Sequence, residues 1–233
     1  VIGHRNYSTS VLSGEGDSDY EKYMRTPTLL NLQVTPENML HRDELLFQVV
    51  HQSTELWLKL SNNELAEAIE KLSKKDFVAA TELIKRSSYP IELITKQLEM
   101  FKYMTPYDFQ KVRPALGNGS GFESPGWRRL QSVGQELHQT FIRIVKSMSI
   151  DLMGIYTEED KSPLYFLMEE MVSWDEMVSL WRSRHYKIAV RTIGLNTIGT
   201  KGTPVEKLTV LMNKQFFPEL WVLRTEMTNT NSY

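Results

Sequence analysis

The 233-residue chain contains no cysteine. That absence removes disulfides, thiolate nucleophiles and every thiolate-held metal site, zinc and iron–sulfur clusters included. Neither sign of charge is in excess: 27 basic residues stand against 29 acidic ones, a net charge of −2. Composition therefore gives no electrostatic case for nucleic acid or an anionic membrane as partner. No run approaches the ~18 consecutive apolar residues of a membrane span, and the first ten residues, VIGHRNYSTS, lack the apolar centre of a signal peptide. No alternating stretch is long enough to build a sheet. No internal repeat occurs, and neither the H-E-x-x-H zinc pattern nor a phosphate-loop signature is present. A cytoplasmic location is the expectation that fits this composition.

What remains is ordinary globular material, 41% hydrophobic and 24% charged, with enough length for a sizeable core. The expected architecture is one all-α domain of about eight or nine helices over residues 18–233. A polar, glycine-rich flexible arm containing SGEGDSD precedes it at 1–17.

The helix signals are local and physical. Ser18 and Glu21 form a capping box that starts a short helix at Asp19, with Tyr20, Tyr23 and Met24 on one face and Pro27 breaking it. In DELLFQVVHQSTELWLKL, Asp43–Leu60, six apolar residues from Leu45 to Leu60 recur at helical spacing, and the helix is expected to reach about Leu72. His51 sits inside it, one turn beyond Phe47. A lone histidine there is more often a core residue satisfied by a backbone carbonyl than a ligand contact, and the helix alone leaves both readings open. Asp76 caps the next helix, which Pro90 kinks or interrupts. Thr105-Pro106-Tyr107-Asp108 starts another that carries Phe109 and Arg113 on one face and ends at Pro114.

Glycines 117, 119 and 121 mark LGNGSGFESPG as a loop that can approach a flat ligand closely. An amphipathic helix follows over 127–149, and Gly154 with TEEDK reads as a turn. Ser162-Pro163 opens a helix through Trp181, Arg182 and His185, and Thr203-Pro204-Val205-Glu206 reads as the start of a further one.

The wording of these segments is more specific than their pattern. ELLFQVVHQSTELWLKL, DYEKYM, MTPYDFQKVR, SGFES, LWRSRHYKIAVRTIG and FFPELWVLRT fall in one order along residues 20–225. Together they resemble the tryptophan 2,3-dioxygenase family. The resemblance implies an all-α enzyme that binds haem b and oxidises indole C2 and C3 of L-tryptophan, or of a tryptophan derivative, with O2.

It implies His185 as the haem-iron ligand, and Ser120, Gly121 and Arg128 at the cofactor. His51 would be the catalytic residue at the indole N–H. Phe47, Phe109, Tyr20, Tyr23 and Met24 would pack on the ring, with Tyr20–Met24 lent by a neighbouring subunit of a homo-oligomer, expected as a tetramer. Arg113 would hold the substrate carboxylate and Thr200 the amino-acid end. Departures from the family wording are Met24 for leucine, Glu123 for glutamine, a shorter middle, and IGTKGTP where a small-residue loop is usual. Ring-cleaving dioxygenation is the family default. The alternatives are a haem-dependent monooxygenase giving an oxindole, and a non-catalytic haem-binding or sensing protein, against which Arg113 speaks because a substrate contact has no part in holding haem.

Overall fold

Side-chain caps set where the helices begin. Ser18, Asp76, Thr105, Ser124, Asp151 and Ser162 each accept from a backbone N–H of the first turn, so orphan donors are satisfied at six helix starts. The computed structural model describes residues 9–230, and among them the fold is all-α with a single isolated β-bridge. The ten α-helices are α1 Asp19–Met24, α2 Thr26–Leu30, α3 Asp43–Ser73, α4 Phe77–Gln97, α5 Pro106–Val112, α6 Pro125–Ser147, α7 Leu152–Thr157, α8 Pro163–Ile193, α9 Lys207–Met212 and α10 Pro218–Thr230. Residues 1–8 of the expected arm lie outside the described residues. Residues 10–12 fold back onto α1, where the Asp19 carboxylate accepts from Ser10 Oγ and from the amides of Val11 and Leu12.

Three elements depart from the sequence expectation. Pro90 does not interrupt α4, which runs through it and buries it. Ser61 of α3 donates to the Ser87 carbonyl at 3.1 Å, satisfying an acceptor beside the proline, and packing on both flanks outweighs the local break. Pro27 does not end α1; Arg25, at φ 54°, does, and the proline sits in the first turn of α2, where its missing N–H costs nothing. Gly154 lies inside α7 rather than in a turn. A Cβ there would stand 2.9 Å from Asp151 Oδ2, so glycine lets the capping carboxylate close on the helix.

The main core joins Leu58, Leu65 and Leu72 of α3 to Ile84 and Ile91 of α4, Leu137 and Phe141 of α6, Trp174 and Val178 of α8, and Phe217 and Leu220 at the α10 end. Burial of each such side chain contributes about 1.5–3 kcal/mol. The carboxylate of Asp175 accepts from Phe216 N, Phe217 N and Trp221 Nε1, while Arg182 donates to the carbonyls of Leu211 and Lys214. Those contacts fix the 211–221 segment against α8. A second, smaller core lies at one end of the bundle, built from Val50, Leu98, Phe101, Met104 and Ile188, with Phe47, Phe109 and Trp181 packed against it. Helix α4 packs along both α3 and α8, which do not pack extensively on each other.

Candidate functional site

Two histidines meet at the small core. His51 projects from α3 and stacks on Phe47, with ring centroids 4.1 Å apart, and its edge faces Phe101 at 5.9 Å. Phe109 of α5 extends the aromatic wall, 6.3 Å from Phe47. On α8, His185 lies parallel to Trp181, 4.9 Å between centroids and 6° between planes. The two imidazoles are close enough that a charge on His51 lowers the pKa of His185. Both rings remain reachable by solvent, yet enough protein surrounds them for desolvation to govern their titration.

Electrostatics keeps the pair neutral. Burial pushes His185 down to about 4. Burial also lowers His51, partly offset by the Phe47 carbonyl and the Glu55 charge. His51 Nδ1 lies 2.8 Å from the Phe47 carbonyl oxygen, an atom that can only accept. The proton therefore sits on Nδ1, and Nε2 carries a free lone pair. His185 has no hydrogen-bond partner among the described residues, and the indole Nε1 of neighbouring Trp181 is buried without one.

Arg113 and the two loops sit together. Arg113 Nη2 donates to Ile198 O at 2.9 Å, Thr200 Oγ1 to Gly119 O, and Lys201 Nζ pairs with Glu123. Ser120 begins the 3-10 turn Gly121–Glu123 through a reciprocal capping box with Glu123, and Arg128 donates to the Glu123 carbonyl at 2.8 Å. Residues 197–205 form a hairpin-like turn. Ile198 bridges Pro204, and Gly202 adopts φ 74°, which favours glycine. Thr203 and Pro204 thus close this turn instead of opening a helix, and α9 starts at Lys207.

Tyr20, Tyr23 and Met24 are exposed on α1, and no ring contact within the described chain joins them to Phe47 or His51. One residue went unnoticed in the sequence. Glu55, one turn beyond His51 on the same face, takes Gly126 N at 2.9 Å and Ser124 Oγ, tying the glycine-rich loop to α3. An acid inside an apolar helix face, at that spacing, was the available signal. Lys201, which stands out in the sequence only as a departure from the small-residue loop, becomes intelligible through its partner Glu123.

The model of the tryptophan 2,3-dioxygenase family matches residues 5–143. The chain belongs to the tryptophan 2,3-dioxygenase family. Among relatives so named, the Rhodococcus jostii (strain RHA1) protein is 30% identical over 89% of this chain and 91% of its own length. The Arthrobacter sp. (strain FB24) protein is 28% identical over the same shares, and that of Shewanella woodyi 27% over 91% of each. The Rhodococcus comparison spans 260 positions for 89% of a 233-residue chain, so that tryptophan 2,3-dioxygenase carries segments this one lacks.

The residues present fit the haem that the resemblance implies. A neutral imidazole without a partner suits a metal, and an unpartnered indole N–H beside it suits an acceptor on a bound group. The aromatic side chains of the small core supply an apolar face.

Proposed function

We propose that this protein is a haem-dependent dioxygenase that adds both atoms of O2 across C2–C3 of the indole of L-tryptophan or a close derivative, opening the ring to the N-formylkynurenine skeleton. The reaction balances as indole plus O2, with no external reductant. The observation that carries the reading is a pair of histidines, one on α3 and one on α8, both pushed towards the neutral form by burial and near enough for one to feel the other's charge, at the small core that Phe109 of α5 joins.

His185 would ligate the iron, with Ser120, Gly121 and Arg128 near the cofactor's edge. Haem, when bound, supplies the oxygen activation. Everything else falls to the chain. His51 Nε2 accepts the indole N–H and holds the ring in register; Phe47 and Phe109 provide its apolar bed. Arg113 takes the substrate carboxylate with donors left over from its bond to Ile198, a charged contact contributing about 1.5–3 kcal/mol. Thr200 stands at the amino-acid end. Tyr20, Tyr23 and Met24, exposed on their own chain, would complete the pocket of a second copy in a homo-oligomer, proposed as a tetramer.

Mass spectrometry of the product formed from L-tryptophan under 18O2 tests this. Two labelled atoms in a ring-opened product are expected. One label with a reductant requirement would replace dioxygenation by oxindole-forming monooxygenation. No oxidation by the haem-loaded protein would leave only haem binding.

A further inference from the structure

The glycine-rich loop at 117–124 and the hairpin at 197–205 are far apart in sequence but held together by three side chains. Arg113 reaches Ile198 O, Thr200 reaches Gly119 O, and Lys201 reaches Glu123. Glu123 divides its carboxylate between two tasks. Oε2 accepts the Ser120 N–H at 3.0 Å and completes the capping box of its own loop. Oε1 takes the ammonium of Lys201 across the gap. The hydrogen bond from Lys201, with that cap, holds the Glu123 carboxyl below its ordinary range, so the carboxylate is ionised at neutral pH.

Lys201 stands at the hairpin's tip, where Gly202 N closes on Gly199 O at 3.0 Å. Three residues earlier, Ile198 presents the carbonyl that orients Arg113. A force applied at Lys201 is therefore delivered to the guanidinium. The bridge between Ile198 and Pro204, and the bond from Val205 N to Thr197 O at 3.1 Å, make the hairpin stiff enough to transmit it.

We infer that the Glu123–Lys201 ion pair is a positioning latch: it fixes the hairpin, the hairpin's Ile198 carbonyl fixes the Arg113 fork, and the chain thereby selects ligands bearing an α-carboxylate. This rests on Arg113 being the carboxylate-binding residue of the proposed function. One Arg113 nitrogen is engaged by Ile198, and the remaining N–H groups keep the planar geometry a carboxylate needs. Glu123 and Lys201 touch neither substrate nor cofactor in this scheme. Both are about half exposed, so the latch is screened by salt and shifts equilibria modestly.

The chemistry gives a clean variant. Glu123→Gln keeps an oxygen for the Ser120 cap and loses the charge; Lys201→Met loses the charge from the other side. Calorimetric binding of L-tryptophan and of tryptamine, which lacks the carboxylate, would be measured on haem-loaded protein. Both variants should weaken L-tryptophan about 2- to 5-fold, the range of an exposed ion pair, and leave tryptamine unchanged. Raising salt to ~0.5 M should weaken wild type more than the variants, which keep only the Arg113 contact for salt to screen. Separately, trypsin should cut after Lys201 several-fold faster in Glu123→Gln than in wild type, a readout that needs neither substrate nor turnover. Equal cutting rates, or equal weakening of tryptamine and L-tryptophan, would overturn the latch. A wild-type protein that binds L-tryptophan but does not oxidise it would overturn the proposed reaction while the latch stands.

Discussion

The 2.8 Å contact between His51 Nδ1 and the Phe47 carbonyl decides what the other ring nitrogen can do. Because a carbonyl cannot donate, Nδ1 holds the proton and Nε2 is an acceptor. The bland reading of a helix histidine, satisfied by its own backbone, is thus correct for one nitrogen and leaves the second free for a ligand. His51→Ala should lower kcat/KM for L-tryptophan about 10-fold, the value of roughly one buried hydrogen bond. The sharper check uses 1-methyltryptophan, which has no indole N–H. Wild type should discriminate against it, and His51→Ala should not. Equal discrimination by both proteins would remove His51 from the indole.

His185 should carry the metal. His185→Ala is expected to lose most haem, read as the Soret absorbance of purified protein, while far-ultraviolet dichroism stays helical. The helix should survive because α8 is held by Trp174, Val178 and Asp175 further along its length. An unchanged Soret band would assign the ligand elsewhere.

The same residue predicts how acid acts on the cofactor-free protein. His185 has its folded pKa at about 4, below the unfolded value near 6.5, so the unfolded chain binds a proton that the folded chain refuses. The folded state is therefore fully favoured above pH ~6.5 and loses up to about 3 kcal/mol as pH falls through the window down to about 4. His51 is lowered too and acts in the same direction. The raised carboxyls of Glu170 and Asp175 act in the opposite sense, so the difference between wild type and His185→Phe isolates the term. Urea midpoints at pH 5 and pH 7.5 should separate further in wild type than in the variant.

Much of this was legible in the sequence, and the reasons are physical. Capping residues are local, so Ser18, Asp76, Thr105 and Ser162 marked helix starts that the fold keeps. Breakers were less reliable. Pro90 is overridden by packing from both sides, and Pro27 is harmless because it falls in a first turn. The wording around His51, Arg113 and His185 pointed to one pocket, and the structure brings the two histidines together. It could not show that the departures at Glu123 and Lys201 are partners, because 78 residues separate them. Nor could it show Glu55 holding the loop, since that bond reaches across 71 positions to Gly126.

Asp175 should be the costliest polar residue to remove. A single oxygen, Oδ2, accepts from Phe216 N at 2.8 Å, Phe217 N at 3.2 Å and Trp221 Nε1 at 3.0 Å, and the Arg182 charge lies nearby. Asp175→Ala strands three donors and takes away the nearby charge that offsets the Arg182 guanidinium, a loss of about 3–5 kcal/mol. Asp175→Asn retains an acceptor oxygen and should cost about half as much. Chemical denaturation of the two variants checks the order; equal losses would mean that charge, not acceptance, is what Asp175 supplies.

Helices α1 and α2 bury none of their residues, and α1 packs chiefly on α2. Tyr20 is 66% exposed and Tyr23 75%, with Met24 and Leu30 beside them. A six-residue helix has little stability of its own in water, so one ordered by its Ser18 cap and by the bonds of residues 10–12 to Asp19 calls for something to cover the apolar side. A second copy of the chain is the proposed cover, with Tyr20–Met24 reaching the His51 wall of its neighbour. Light scattering should give a mass well above the 27.1 kDa chain, close to four copies. Tyr23→Asp, which places a charge in that interface, should shift the mass towards one chain and weaken L-tryptophan binding about 10-fold, a loss of about 1.4 kcal/mol. Measuring both separates the roles. Dissociation with undiminished affinity would make the contact an assembly surface only, and a fully active wild-type monomer would remove α1 from the site.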